Sequence, residues 1–165
     1  MRIVMLGGSG FVGQVLARRL VREGHEVVVL TRNRSCHREV ALLPGVVLRE
    51  GDVYDGDWLA AQCAGADAVV NLVGILNESG IGGAGGREFE RAHVQLTQTL
   101  VAACGRSGVS RLLQMSALNA GRGSSHYLRT RGAAEAAVQT SGLRWTIFRP
   151  SVIFGRGDGL FCRFA

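Results

Sequence analysis

Short runs of valine, isoleucine and leucine alternate along the chain with longer stretches whose apolar residues recur at helical spacing. "RIVMLG", "HEVVVLT", "GVVLREG", "ADAVVNLVG", "RLLQMSA" and "LRWTIFRP" all have strand length. Several are almost continuously apolar, the pattern of strands covered on both faces. Between them the spacing predicts helices from Phe11 to Glu23, Phe89 to Cys104 and Ser124 to Thr140, with a weaker one near Asp57 to Cys63. Phe89, His93, Leu96 and Leu100 mark an inward stripe on one of these. Alternation of strand and helix implies right-handed crossovers and a parallel sheet. The expected fold class is therefore α/β, an open, doubly wound sheet of the Rossmann type with about six strands.

The 165 residues suit one domain and are too few for two of ordinary size, so 1–165 reads as a single domain. Apolar residues make up 47% and charged residues 19%, a globular balance rather than a disordered one. No apolar run approaches the roughly 20 residues that span a bilayer. The start "MRIVMLGGSG" reads as a strand broken by glycines, not as a signal peptide. "NESGIGGAGGRE", Asn77 to Glu88, reads as a mobile glycine-rich loop between the fourth strand and its helix. The apolar tail "LFCRFA", soon after the sixth strand, is expected to be exposed and open to a protein partner.

Composition then narrows the chemistry. Cys36, Cys63, Cys104 and Cys162 are scattered without CxxC spacing. That argues against a metal site and for reduced thiols in a cytoplasmic protein, with Cys104 a small core side chain. The formal charge is +6, and all 19 basic residues are arginine. They are spread along the chain without a run, which reads as composition bias rather than a nucleic-acid footprint. The absence of lysine excludes a Schiff-base lysine, a P-loop lysine and the Tyr-Lys pair of many nicotinamide-dependent enzymes.

"GGSGFVG" places Gly7, Gly10 and Gly13 directly after a strand and at the opening of a helix. In that context Gly7 permits the tight turn, Gly10 lets backbone approach a pyrophosphate, and Gly13 lets helix and strand pack closely. The amides of Phe11, Val12 and Gly13, with the helix dipole, then favour negative charge. The implied ligand is a dinucleotide. About 20 residues on, NAD-binding folds carry an acid for the ribose 2′-OH. Here "VVVLTRNR" ends the second strand with Arg32 and Arg34 instead. Guanidinium forks suit a 2′-phosphate, so NADP(H) is the expected cofactor, with NAD(H) second. Asp52 in "EGDVYD" is a candidate for the adenine amino group, or else a turn aspartate, with Val53 packing on the ring. Leu72, Val73 and Gly74 of "NLVG" end the fourth strand where the crevice should lie and are assigned to the adenine ribose.

These motifs, with Ser116 in "QMSALN", Tyr127 in "YLRTR" and "RPSVIFG", follow the order typical of extended and atypical short-chain dehydrogenase/reductases. More narrowly, "MSALNAG", "YLRTRGAAE" and "FRPSVIFGRGD" resemble the subgroup holding the NADPH-binding accessory subunit of respiratory complex I and its bacterial relatives. The resemblance implies a seven-stranded sheet and a C-terminal substrate region, both of which exceed this chain. It also implies catalytic roles for Ser116, Tyr127 and Arg131, the last standing where the family carries lysine. That lysine holds the nicotinamide ribose and lowers the tyrosine pKa from about 10. Arg131 supplies a cation four residues from Tyr127 on the same helical face, but it relays no proton at neutral pH. Pro150 is placed near the nicotinamide by the same resemblance.

Three readings follow. The first is an NADP(H)-binding domain with a structural or assembly role, cytoplasmic or peripheral at a membrane complex, as the complex I resemblance implies. The second is an oxidoreductase or sugar-nucleotide epimerase/dehydratase using Tyr127. The third is a redox-sensing regulator.

Overall fold

The computed structural model describes residues 1–77 and 86–155, without the side chains of 36–39. Six strands form one sheet: β1 (Arg2–Leu6), β2 (Glu26–Thr31), β3 (Val46–Glu50), β4 (Ala68–Asn71), β5 (Arg111–Met115) and β6 (Arg144–Phe148). Their order is β3-β2-β1-β4-β5-β6 and every neighbouring pair is parallel. Strand order therefore reverses between β1 and β4, which opens a crevice at the carboxyl ends of those two strands.

The helices are α1 (Phe11–Arg22), α2 (Arg38–Ala41), α3 (Gly56–Cys63), α4 (Arg87–Phe89), α5 (Leu96–Ser107) and α6 (His126–Gln139). Side chains cap two of them. Asp55 Oδ1 accepts from the amides of Asp57 and Trp58 at the start of α3, and Ser125 Oγ accepts from Leu128 N–H at the start of α6. The helix expected from Phe89 to Cys104 is interrupted. A π-helical turn, Glu90–Gln95, separates α4 from α5. The stripe nevertheless points inward, with Phe89, His93, Leu96 and Leu100 all buried.

Alternation along the strands divides the core in two. Val4 and Leu6 pack with Leu59, Leu96, Leu100 and Val138 on the face of α3, α5 and α6. Ile3 and Met5 pack with Ala17 of α1 on the other face. Cys104 is fully buried, as expected of a small core side chain. Beside α1 the cover is incomplete: a cavity of about 720 Å³ lies between α1 and strands β4 to β6, bordered by Val15, Leu113, Met115 and Phe148. The resemblance implied seven strands, whereas six are present among the described residues. Residues 78–85 of the glycine-rich loop, and the tail from 156 onward, lie outside the described residues.

The turn from β1 into α1 is fixed by steric contact. Gly7 has φ +74, and a Cβ there would stand 2.9 Å from Leu72 C and 3.0 Å from Val73 N. A Cβ on Gly13 would lie 2.5 Å from Gly8 Cα and closer still to the Gly7 carbonyl oxygen. Both contacts are with backbone, which cannot rotate away. Gly105 of α5, by contrast, has open space where a Cβ would stand.

These two glycines give opposite expectations. Gly13→Ala should lower stability by about 1–3 kcal/mol through overpacking, a drop of several degrees in Tm. Gly105→Ala should raise stability by about 0.5–1 kcal/mol by improving helix propensity. Thermal melts of both variants against the parent check the pair. Equal effects would remove the steric account of the turn.

Candidate functional site

The crevice at the β1–β4 reversal consists of two cavities of about 430 and 660 Å³, and both are bordered by Gly7, Gly10, Leu72 and Gly74. Its floor is the first turn of α1. Gly10 precedes that helix without any side-chain cap, and the turn contains no acidic residue. The leading amides of a helix have no partner within it, so this turn offers donors and a positive dipole end with no carboxylate to compete. Gln14 Nε2 steadies the loop by donating to Ser9 O at 3.0 Å.

The smaller cavity lies towards β2 and β3 and is lined by Arg32, Val53 and Val73 among others. Tyr54 also forms part of its wall, with the Arg91 guanidinium 4.5 Å from the ring centroid. Burial pushes the Tyr54 hydroxyl pKa up, against the opposing charges of Arg91 and Arg32. Arg34 and Asp52, assigned to the cofactor from the sequence, do not line the crevice. Arg34 is exposed in the turn after β2, with its amide donating to Glu50 Oε2 at 2.9 Å. Asp52 Oδ1 accepts from Tyr54 N–H at 2.9 Å, which is the turn-aspartate alternative.

The larger cavity lies towards β5 and β6. Phe11, Val12, Gly13, Ser116, Tyr127, Arg131 and Pro150 all line it. Strand-like pairing beyond β5 and β6 sets two of these positions: Ser116 N–H donates to Phe148 O at 2.7 Å, and Leu118 N–H to Pro150 O at 2.8 Å. The Ser116 side chain is buried, and its hydroxyl makes no hydrogen bond of normal geometry among the described residues. It lies near enough to Glu135 to help hold that carboxyl below its ordinary pKa. Burial alone would raise the Glu135 pKa, but the paired Arg149, 2.5 Å away, and Ser116 outweigh it.

Arg131 differs most from its expected form. From the sequence it was a cation on the same helical face as Tyr127, at the family's lysine position. The side chain is instead 5% exposed, and Nη1 donates to Val73 O at 3.2 Å and to Met115 O at 3.1 Å. The guanidinium thus ties the carboxyl ends of β4 and β5 together. Its carbon lies 5.5 Å from the Tyr127 ring centroid, and Nε is buried with no hydrogen-bond partner. Gly74 makes the room, since a Cβ there would overlap Arg131 Nη2. The orphaned Arg131 Nε and Ser116 hydroxyl beside a bare helix turn fit a polar ligand spanning both cavities.

Behind Tyr127 lies His93, which the sequence reading placed only in a packing stripe. It is 1% exposed, and its pKa is lowered to about 4 by burial and by the Arg131 charge. The fold therefore holds the imidazole neutral. No group of side chains among the described residues could hold a metal ion, and no described helix is long and apolar enough to cross a membrane.

Two outcomes test this geometry. The His93 pKa is lower in the fold than the ordinary 6.5, so its stabilising effect is complete above pH 6.5 and fades as pH falls towards 4. Wild-type Tm should fall by several degrees across that window, and the slope should flatten in His93→Gln; parallel curves would refute the assignment. Gly74→Ala should displace the guanidinium and destabilise the fold by about 1–3 kcal/mol. That effect should largely vanish in an Arg131→Ala background, and strict additivity of the two changes would disprove the contact.

Residues 7–159 match the family model described as NAD(P)H-binding. The chain is 30% identical to 2-alkyl-3-oxoalkanoate reductase of Stenotrophomonas maltophilia (strain K279a), over 96% of this chain and 52% of that protein. It is 32% identical to the mitochondrial NADH dehydrogenase (ubiquinone) 1 alpha subcomplex subunit 9 of Arabidopsis thaliana, over 93% of this chain and 39% of that one. It thus spans about half the length, or less, of these curated relatives. Among solved structures, UDP-glucuronic acid 4-epimerase from Bacillus cereus in complex with NAD superposes with a TM-score of 0.78 at 18% identity, covering 94% of this chain and 58% of that one. The last likeness is one of fold. By the match of residues 7–159, most of its length, the chain belongs to the NAD(P)H-binding family.

Proposed function

We propose that the chain is an NADP(H)-binding domain with a structural or assembly role, like the complex I accessory subunits it resembles. The observation that carries this reading is the bonding of Arg131. At the position where a catalytic lysine would stand, the side chain is buried and bound to two strand-end carbonyls. A guanidinium so engaged holds the crevice open but moves no proton.

In this reading the amides of Phe11, Val12 and Gly13 receive the pyrophosphate, with Gly7 and Gly10 allowing its close approach. Arg32, on the wall beyond β2, receives the 2′-phosphate. Val53 packs on the adenine, and Leu72, Val73 and Gly74 border its ribose. Tyr127, Arg131 and Pro150 border the nicotinamide half. When bound, the nicotinamide can give or accept hydride at C4. A domain used this way sits in the cytoplasm or at the periphery of a membrane complex and meets a protein partner there.

One observation favours turnover as a second reading. Ser116, Tyr127 and Arg131 border a single cavity, so an oxidoreductase or epimerase with Tyr127 as its acid-base group has its candidate residues assembled.

Calorimetric titration with NADPH and NADH separates the possibilities. NADPH should bind at least tenfold more tightly, and Arg32→Ala should remove that preference while sparing NADH. Equal affinities would overturn the NADP(H) assignment. A ligand that binds only the folded state stabilises it by about 2.7 kcal/mol at a hundredfold excess over Kd. Absence of any Tm shift at millimolar NADPH or NADH would therefore overturn cofactor binding altogether. Arg131→Lys should produce no reductase turnover; a large gain from that change would establish an impaired enzyme instead.

A further inference from the structure

We infer that His93 is a positioning residue for the wall shared by the two halves of the crevice, tying the segment after β4 to the face of α6 that carries Tyr127 and Arg131. The inference rests on the dinucleotide reading above.

The π-helical turn Glu90–Gln95 swings His93 inward between two elements that the strand order alone does not join. On one side Nε2 accepts from Ile75 N–H at 3.4 Å. On the other, Nδ1 lies 2.9 Å from Thr130 Oγ1, whose hydroxyl is bonded back to His126 O at 2.8 Å within α6. With Nε2 accepting, Nδ1 carries the proton and donates to Thr130. The ring stands edge-on to Tyr127, with centroids 5.5 Å apart and planes at 84°, and it is tilted against Phe89 at 5.6 Å.

The segment it holds matters to the crevice. Ile75 lies between Gly74, which borders both cavities, and Leu76 and Asn77, which line the larger one. Arg131 holds the same segment from α6 through Val73 O. Two side chains from different helices therefore fix residues 73–75 at both ends. A neutral imidazole suits the task because it is flat and presents a nitrogen on each of two edges. If filling space were its only role, leucine or phenylalanine would do so without burying polar nitrogens. Val73, Gly74 and Ile75 border the smaller cavity and Gly74 the larger one as well, so moving this segment would disturb the wall that the two halves share.

The test uses NADPH and two substitutions. In His93→Leu, NADPH affinity should fall at least tenfold while the apo Tm moves by only a few degrees. His93→Gln places an amide oxygen near the position of Nε2 and should restore NADPH binding to within about threefold of wild type. The inference is overturned if His93→Leu leaves NADPH affinity unchanged or if glutamine is no better than leucine. Should His93→Leu fail to fold, Thr130→Val removes the partner at the other end and must show the same loss of NADPH affinity. A wild-type protein that binds NADPH normally while the variants behave alike would sink this inference only. A wild type that does not bind NADPH would sink the dinucleotide reading beneath it.

Discussion

The crossing of three backbones at Gly7, Gly13 and Leu72 is the constraint on which the rest of the molecule depends. No side chain can stand between them, because a Cβ on Gly7 would press on the Leu72–Val73 peptide and one on Gly13 on the β1–α1 turn itself. That closeness aims the start of α1 at the carboxyl edge of the sheet, where both halves of the crevice meet. The helix begins there without a cap. Asp55 and Ser125 cap two other helices, whereas this turn, like the start of α4, has no side-chain cap. Leaving helix amides unpartnered is unfavourable, and at the α1 turn an anion can complete them.

Around that turn the strand ends are held by buried polar groups rather than by packing alone. Asn71 Nδ2 donates to Gln114 Oε1 at 3.1 Å, linking β4 to β5 beneath the crevice, and Asn71 Oδ1 accepts from Val73 N–H. Arg131 adds a second link between the same strands, and His93 a third from the π turn. Buried groups of this kind stabilise a structure only when they are satisfied together, so they fix one arrangement of the edge. Of the three buried groups left unsatisfied among the described residues, Arg131 Nε and the Ser116 hydroxyl belong to residues bordering the larger cavity, and Thr97 Oγ1 does not.

Much of this was legible from residue order. Strand and helix periods are local, so the six strands and the main helices lay within a few residues of the expected limits. The glycine turn was legible because its steric logic is confined to seven residues. The fate of Arg131 was not, since Val73 and Met115, which it bonds, are remote in sequence and meet only when β4 and β5 pair. Asp52 and Arg34 follow the sequence pattern of cofactor ligands, but the bonds of the folded chain are local ones, Asp52 accepting from Tyr54 N–H and the Arg34 amide donating to Glu50. His93 was visible as a member of an apolar stripe. Its hydrogen bonds depend on a π turn, which leaves no distinct mark on the spacing of Phe89, Leu96 and Leu100. Tyr54 was overlooked because an aromatic residue after an Asp-Val pair carries no periodic signal.

The open cavity beside α1 makes the two ends of the crevice unequal in stiffness. β1 and β4 lie inside the sheet, whereas β6 forms its edge among the described residues, with Trp145 and Phe148 about half exposed. Strands with few buried contacts open locally at lower free energy and exchange their amide protons sooner. The adenosine wall stands on those inner strands, and the Pro150 wall on the more exposed margin at β6. Any ligand that spans the two must quiet that margin as it binds, so part of its binding free energy goes into ordering β6.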